Sequence, residues 1–267
     1  MTKKQYPTDL TPEQFELIEP TLSTQSNMGR PRKWDLLDVM NAILYLLRSG
    51  CAWRLLPHDF PPWQTIYSYF RKWKRDGTWE KTNNMLHERV RSEEDREPNP
   101  TAAIIDSQSV KTTDVPGPRG YDAGKKIKGR KRHIVVDTLG LLIAIVVHPA
   151  NIQDRDGAKT VLKKACQRFC GLQIVWADSG YSGKLIDWVK VTFGSTLEIV
   201  KRPTQIKGFT VVRKRWIVER TFGWLCRYRR LSKDYEGLTS TSEAMAQIAM
   251  INLMVHRLVP GSAHGGR

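Results

Sequence analysis

Cysteine is scarce in this chain: Cys51, Cys166, Cys170 and Cys226 are the four among 267 residues, and no two form a CxxC pair. That excludes a disulfide framework and a closed zinc site, since the same-face pair Cys166 and Cys170 supplies only two ligands. Free thiols of a reducing cytoplasm are expected. Long apolar runs are missing too. The longest, Leu139 to Val147, is too short to span a bilayer and reads as a buried strand, so no membrane partner is expected. Met1-Thr2-Lys3-Lys4 leads into polar residues instead of a signal sequence. Of six histidines, none stands with a serine or cysteine in a triad-like motif, which argues against a covalent serine or cysteine route. Acids are outnumbered: 27 Asp and Glu face 43 Lys and Arg, a net charge of +16. A polyanion is the natural partner for such a chain, and clustering of the cations favours nucleic acid.

Residues 11–91 carry helical periodicity. Thr11-Pro12-Glu13-Gln14 is a helix start, and helices follow over Asp35–Arg48, Trp63–Asp76 and Trp79–Val90. The charged stretch Ser92–Pro100 reads as a linker. Beyond it the period changes to that of strands, over Ala102–Ser107, Arg132–Asp137, Leu141–His148, Gln173–Asp178 and Leu197–Arg202. Helices are expected at Asp154–Phe169, Gly183–Phe193, Arg213–Leu231 and Ser242–Val259. The implied domains are a small all-helical, helix-turn-helix-like DNA-binding unit at 1–95, an α/β unit at 96–260 and a disordered tail at 261–267. Element order predicts a mixed sheet flanked by helices and matches a ribonuclease-H-like arrangement.

Three acids stand in settings that surface carboxylates rarely occupy. Asp106 ends the run Ala103-Ile104-Ile105, Asp178 ends Ile174-Val175-Trp176-Ala177, and Glu219 lies in a helical pattern crowded with Arg and Lys. Hard oxygen donors at strand ends suit divalent cations such as Mg²⁺. The alternative for each aspartate is a turn cap. Helical phase sets Arg215, Glu219, Cys226 and Arg230 on one stripe beside an apolar face of Ile217, Thr221, Trp224, Leu225 and Tyr228. Arg215 then contacts a phosphate, orients the carboxylate, or forms a plain i,i+4 pair with Glu219. Asp137 is expected in a hairpin turn, and Asp154 and Asp156 at a helix N-terminus. Among the cations, Lys125, Lys126, Lys128, Arg130 and Lys131 form a glycine-flanked run suited to clamping phosphates near Asp106. Arg213-Lys214-Arg215 and the stretch from Arg227 through Arg230 to Lys233 bracket Glu219. Arg30-Pro31-Arg32-Lys33, with Arg71, Lys72 and Lys74 on the third helix, suits a reader of duplex DNA. Trp53, Trp63, Trp73 and Trp79 read as core anchors before base-stacking platforms.

Several phrases carry a family resemblance. Gly50-Cys51-Ala52-Trp53-Arg54-Leu55-Leu56-Pro57, Phe60-Pro61-Pro62-Trp63, Ile105-Asp106-Ser107-Gln108-Ser109, Ala177-Asp178-Ser179-Gly180-Tyr181 and Trp216-Ile217-Val218-Glu219-Arg220 together resemble bacterial insertion-sequence transposases of the DDE class, in the group around insertion sequences numbered four and five. The resemblance implies a ribonuclease-H-like catalytic domain with Asp106, Asp178 and Glu219 as the metal-binding triad. It implies two Mg²⁺ or Mn²⁺ ions, terminal inverted repeats and target DNA as partners, and a homodimer or larger assembly on DNA in the cytoplasm, associated with the nucleoid. Arg215 and Glu219 match a Tyr, Arg, Glu, Lys signature, whereas Val212 stands at the tyrosine position and Cys226 at the lysine position. Arg227 or Arg230 is left to take the lysine's role. A nuclease of the same fold without strand transfer, or an inactive DNA-binding regulator, are the alternative functions.

Overall fold

In the computed structural model, which describes residues 6–23, 33–200 and 213–260, helix starts follow from local chemistry. Ahead of α1 (Pro12–Glu16), Thr11 and Gln14 form a reciprocal capping box, with Thr11 Oγ1 accepting from the Gln14 amide at 3.2 Å and Gln14 Oε1 from the Thr11 amide at 3.0 Å. A short α2 (Glu19–Leu22) follows. Asp35 caps α3 (Leu36–Ser49) through the Leu37 amide at 2.9 Å, and Gly50, at φ 75°, closes it in the left-handed conformation that suits glycine. Next come α4 (Trp63–Arg75) and α5 (Thr78–Glu93). Val39, Met40, Ile43, Leu46, Leu47, Ile66, Phe70, Leu86 and Val90 are buried at the expected helical spacing. Trp73 and Trp79 are buried with them, and their indole N–H groups donate to the carbonyls of Leu22 and Phe70. Both act as core anchors.

These helices belong to one of two compact units. It comprises the chain up to Asp95 together with Arg227–Ser232 and the chain from Ala244 onward. The last part includes most of α9 (Thr239–Leu258), whose Met245, Ala246, Ile248, Ala249, Met250, Ile251, Met254 and Val255 are buried. Gln14 Nε2 donates to the Val259 carbonyl at 2.8 Å, and Tyr228 Oη to that of Ala249 at 3.2 Å. Periodicity identifies α9 as apolar but not its partners, which is why the sequence reading keeps 96–260 together. The tail at 261–267 lies outside the described residues.

The second unit, Arg96–Cys226 with Lys233–Glu243, holds a six-stranded sheet. Its strands are β1 (Ala102–Lys111), β2 (Gly120–Asp122), β3 (Ile127–Asp137), β4 (Leu142–Pro149), β5 (Ile174–Ala177) and β6 (Thr196–Ile199). Central β1 runs antiparallel to β3 and parallel to β5, and β5 is parallel to β6. Both β2 and β4 pair with β3 in antiparallel fashion. The turn from β3 to β4 is held by Asp137, whose carboxylate accepts from the Leu139 and Leu141 amides at 2.9 and 2.8 Å. The fold is therefore α/β, a mixed sheet flanked by helices. Helix α6 (Asp154–Arg168) lays Ala158, Val161, Leu162 and Ala165 on Ala103, Ile105, Val135 and Val175, joined by Leu185 and Val189 of α7 (Lys184–Phe193). Alternation along β1 turns Ile104, Asp106 and Gln108 to the opposite face. There α8 (Arg213–Cys226) packs against β1 and β5, and Thr221 Oγ1 donates to the Gly140 carbonyl at 2.8 Å.

The elements differ from the sequence reading in several places. Strand β3 begins at Ile127, inside the cationic run, and not at Arg132 as expected. The helix expected over Arg213–Leu231 stops at Cys226; Tyr228 is extended, and Arg229–Leu231 is a separate 3-10 turn. Of the strand expected at Leu197–Arg202, β6 supplies the part to Ile199, while 201–202 lie outside the described residues. No helix among the described residues is long and apolar enough to cross a membrane.

Candidate active site

Parallel pairing sets the two aspartates level. Ile104 of β1 is in register with Trp176 of β5, so Asp106 and Asp178 each lie two residues further along neighbouring strands. Asp178 follows the end of β5 and caps the short turn Ser179–Tyr181, its Oδ1 accepting from the Gly180 amide at 2.8 Å. Asp106 does not end its strand, because β1 continues alongside β3 to Lys111 after its pairing with β5 ceases. Burial pushes the Asp106 carboxyl up to about 6, and the nearby Asp178 charge adds to the rise. The Ser107 amide, donating at 2.7 Å, and the Lys125 and Arg215 charges act against it.

Glu219 is exposed on α8, one turn beyond Arg215. Arg215 Nη2 lies 3.5 Å from Glu219 Oε1 and 3.9 Å from Asp178 Oδ2. A single guanidinium thus reaches two of the three acids and weighs electrostatically on the third. Among the described residues, no three His, Cys, Asp or Glu side chains are gathered closely enough to hold one metal ion. The chemical type of the donors nonetheless fits Mg²⁺ or Mn²⁺: carboxylate oxygens, one of them destabilised as an anion by burial and a like-charged neighbour. Cys226, where the resemblance expects a lysine, is exposed on the same helix, and its sulfur accepts from Gln108 Nε2 at 3.4 Å.

The α6 face of β1 holds a second polar network that sequence reading missed. Ser107 Oγ donates to Asp154 Oδ1 at 2.7 Å, and Ser109 Oγ to Asp122 Oδ2 at 2.6 Å. Lys131 Nζ is 2.9 Å from Asp154 and 3.6 Å from Asp122. Burial works against ionising Asp154 and Asp122, yet these hydrogen bonds and cations hold both carboxyls below the usual range. Beside them runs a buried chain in which His148 Nε2 lies 2.9 Å from His133 Nδ1, and His133 Nε2 lies 2.8 Å from Tyr181 Oη. Burial, then the neighbouring His148, pushes His133 down to about 3. The available signal was the alternation itself, since Ser107 and Ser109 put hydroxyls at inward positions of a strand with polar residues on both faces.

The cations divide accordingly. Lys125, Lys126 and Lys128 are exposed, and Lys125 Nζ donates to the Ser107 carbonyl at 2.9 Å, beside Asp106. Arg130 and Lys131 do not belong to a solvated clamp. Both are buried within β3, Lys131 between two carboxylates and Arg130 against Asp234 at 3.2 Å and the carbonyls of Pro118, Glu236 and Gly237. Arg230 is likewise buried, donating to the Cys51 carbonyl at 2.7 Å, and so leaves the stripe assigned to it on α8. Arg227 is exposed and falls in the other unit from Glu219. On α4, Arg71 and Lys72 are exposed and Lys74 is half-buried. Arg30 and Arg32, like Val212, lie outside the described residues.

Comparison with known proteins bears on this arrangement. Residues 97–254, which span the whole sheet, match the family described as "Transposase DDE domain". Residues 10–83 match one described as "Putative transposase of IS4/5 family". A curated relative from Burkholderia cepacia, described as "Putative transposase for insertion sequence element IS402", is 31% identical over 128 residues, 45% of this chain and 59% of that protein. The chain therefore matches less than two thirds of that relative's length. With the DDE family matched over more than half of its residues, the chain belongs to the DDE transposases of the IS4/5 type.

Proposed function

We propose that this chain binds the terminal inverted repeats of an insertion sequence and catalyses metal-dependent cleavage and strand transfer of DNA. The observation that carries the reading is the convergence of Asp106, Asp178 and Glu219 on Arg215, in a chain of the DDE family. The sheet order, with antiparallel β4, β3 and β1 followed by parallel β5 and β6, supports a ribonuclease-H-like catalytic unit.

Asp106, Asp178 and Glu219 are the residues that would hold two Mg²⁺ or Mn²⁺ ions. Bound there, such ions supply an activated oxygen nucleophile and stabilise the leaving 3′ oxygen. The chain's own part is electrostatic. Arg215 holds Asp178 and Glu219 in place, and Lys125, Lys126 and Lys128 offset charge on phosphates drawn toward Asp106. Arg71, Lys72 and Lys74 of α4 give the helical unit a cationic element for duplex DNA. Two element ends must be joined, so the working form is a homodimer or larger assembly on DNA, associated with the nucleoid.

The test uses labelled duplexes carrying the element's ends, with Mg²⁺ or Mn²⁺ present. Asp106→Asn should lower cleavage by at least about a hundredfold while DNA binding persists, the scale expected when several kcal/mol of transition-state stabilisation is lost. Unchanged cleavage in that variant would overturn the catalytic assignment. Cleavage by the wild-type chain without joining of cut ends to target would instead assign a nuclease of the same fold.

A further inference from the structure

The first unit contains a cationic pocket that the catalytic reading does not use. It is a concavity of about 380 Å³, and its wall includes Arg48 from the last turn of α3 and Arg227 and Arg229 from the segment after α8. Among the described residues, no carboxylate lines it. Among the described residues none of the three arginines is paired with an acid, and all three are exposed. Arg48 is held in position, with Nη1 donating to the Arg227 carbonyl at 3.0 Å and its guanidinium 5.7 Å from the Tyr228 ring centre. Thr8, also in the wall, has a buried Oγ1 with no hydrogen-bond partner among the described residues. Pro7 and Tyr45 add apolar surface.

Three arginines in the wall of one hollow concentrate positive charge there, and their forked donors match phosphate oxygens. The apolar wall suits a sugar ring next to the phosphate. We infer that this pocket seats a phosphodiester of the DNA backbone, a sequence-independent anchor in the first unit. The inference rests on the reading of the chain as a DNA-binding transposase.

The experiment measures binding of the full chain to two duplexes of equal length, one carrying an element end and one scrambled, by fluorescence anisotropy over a range of KCl. Arg48→Gln/Arg229→Gln should weaken binding to both duplexes by the same factor. It should also reduce the slope of log K against log salt by about 1, the signature of one lost phosphate contact. Arg229→Gln alone, which removes no side-chain hydrogen bond among the described residues, should move both quantities the same way by a smaller amount. It decides the matter if the double variant melts early. An unchanged slope in Arg229→Gln, with the wild-type chain binding DNA, overturns the anchor and leaves the transposase reading intact. Failure of the wild-type chain to bind either duplex overturns both. Inorganic phosphate is the second probe: if it raises the melting temperature of the wild-type chain but not of Arg229→Gln while the DNA slope is unchanged, the pocket takes a free oxyanion, and the DNA assignment fails.

Discussion

A neutral imidazole at His133 sets a pH dependence for folding. Its folded value of about 3 lies below the ordinary histidine value of about 6.5, so between these limits the unfolded chain binds more protons than the folded one. Stability therefore falls as pH drops through about 6.5. His148, also lowered by burial, acts in the same direction. Asp106, raised to about 6, acts oppositely across part of the same range, so the quantity to read is a difference between two proteins. His133→Gln should show a shallower decline of melting temperature from pH 7 to pH 4.5 than the wild-type chain. Equal slopes would mean that His133 does not titrate on unfolding as described.

At the scale of elements, the β3 strand explains what was legible and what was not. Asp106 and Asp178 could be found because each follows an apolar run, and β1 and β5 form where those runs lie. Asp137 could be placed in its turn for similarly local reasons. The run Lys125–Arg132 carries the same cationic signal whether solvated or interior, and the deciding partners are distant in sequence. Asp234, which meets Arg130, comes about a hundred positions later and has no local pattern to mark it. The same holds for Arg230, whose partner is the Cys51 carbonyl. Arg130→Met should destabilise the second unit by about 3–5 kcal/mol, because it removes the guanidinium paired with the buried Asp234 carboxylate, on which Arg132 also acts, and strips donors from the carbonyls of Pro118, Glu236 and Gly237. Chemical denaturation would measure the loss. A change below about 1 kcal/mol would return Arg130 to the surface role first expected of it.

For the molecule as a whole, the division into units runs across chain order. The core of the first unit is completed by Arg227–Ser232 and by α9, both made long after α1 to α5. Synthesis proceeds from the N-terminus at about 5–20 residues per second. Helices α1 to α5 therefore wait for roughly ten seconds or more before the rest of their unit exists. Throughout that interval Leu46, Leu47 and Ile43 lack the finished core they occupy at the end. Removal of the chain from Ala244 onward should leave α3 and α4 with fast amide exchange, while β1 and β3 stay protected as part of the other unit. Helices α1 to α5 thus precede the rest of their unit in synthesis and reach their final core only after it is made.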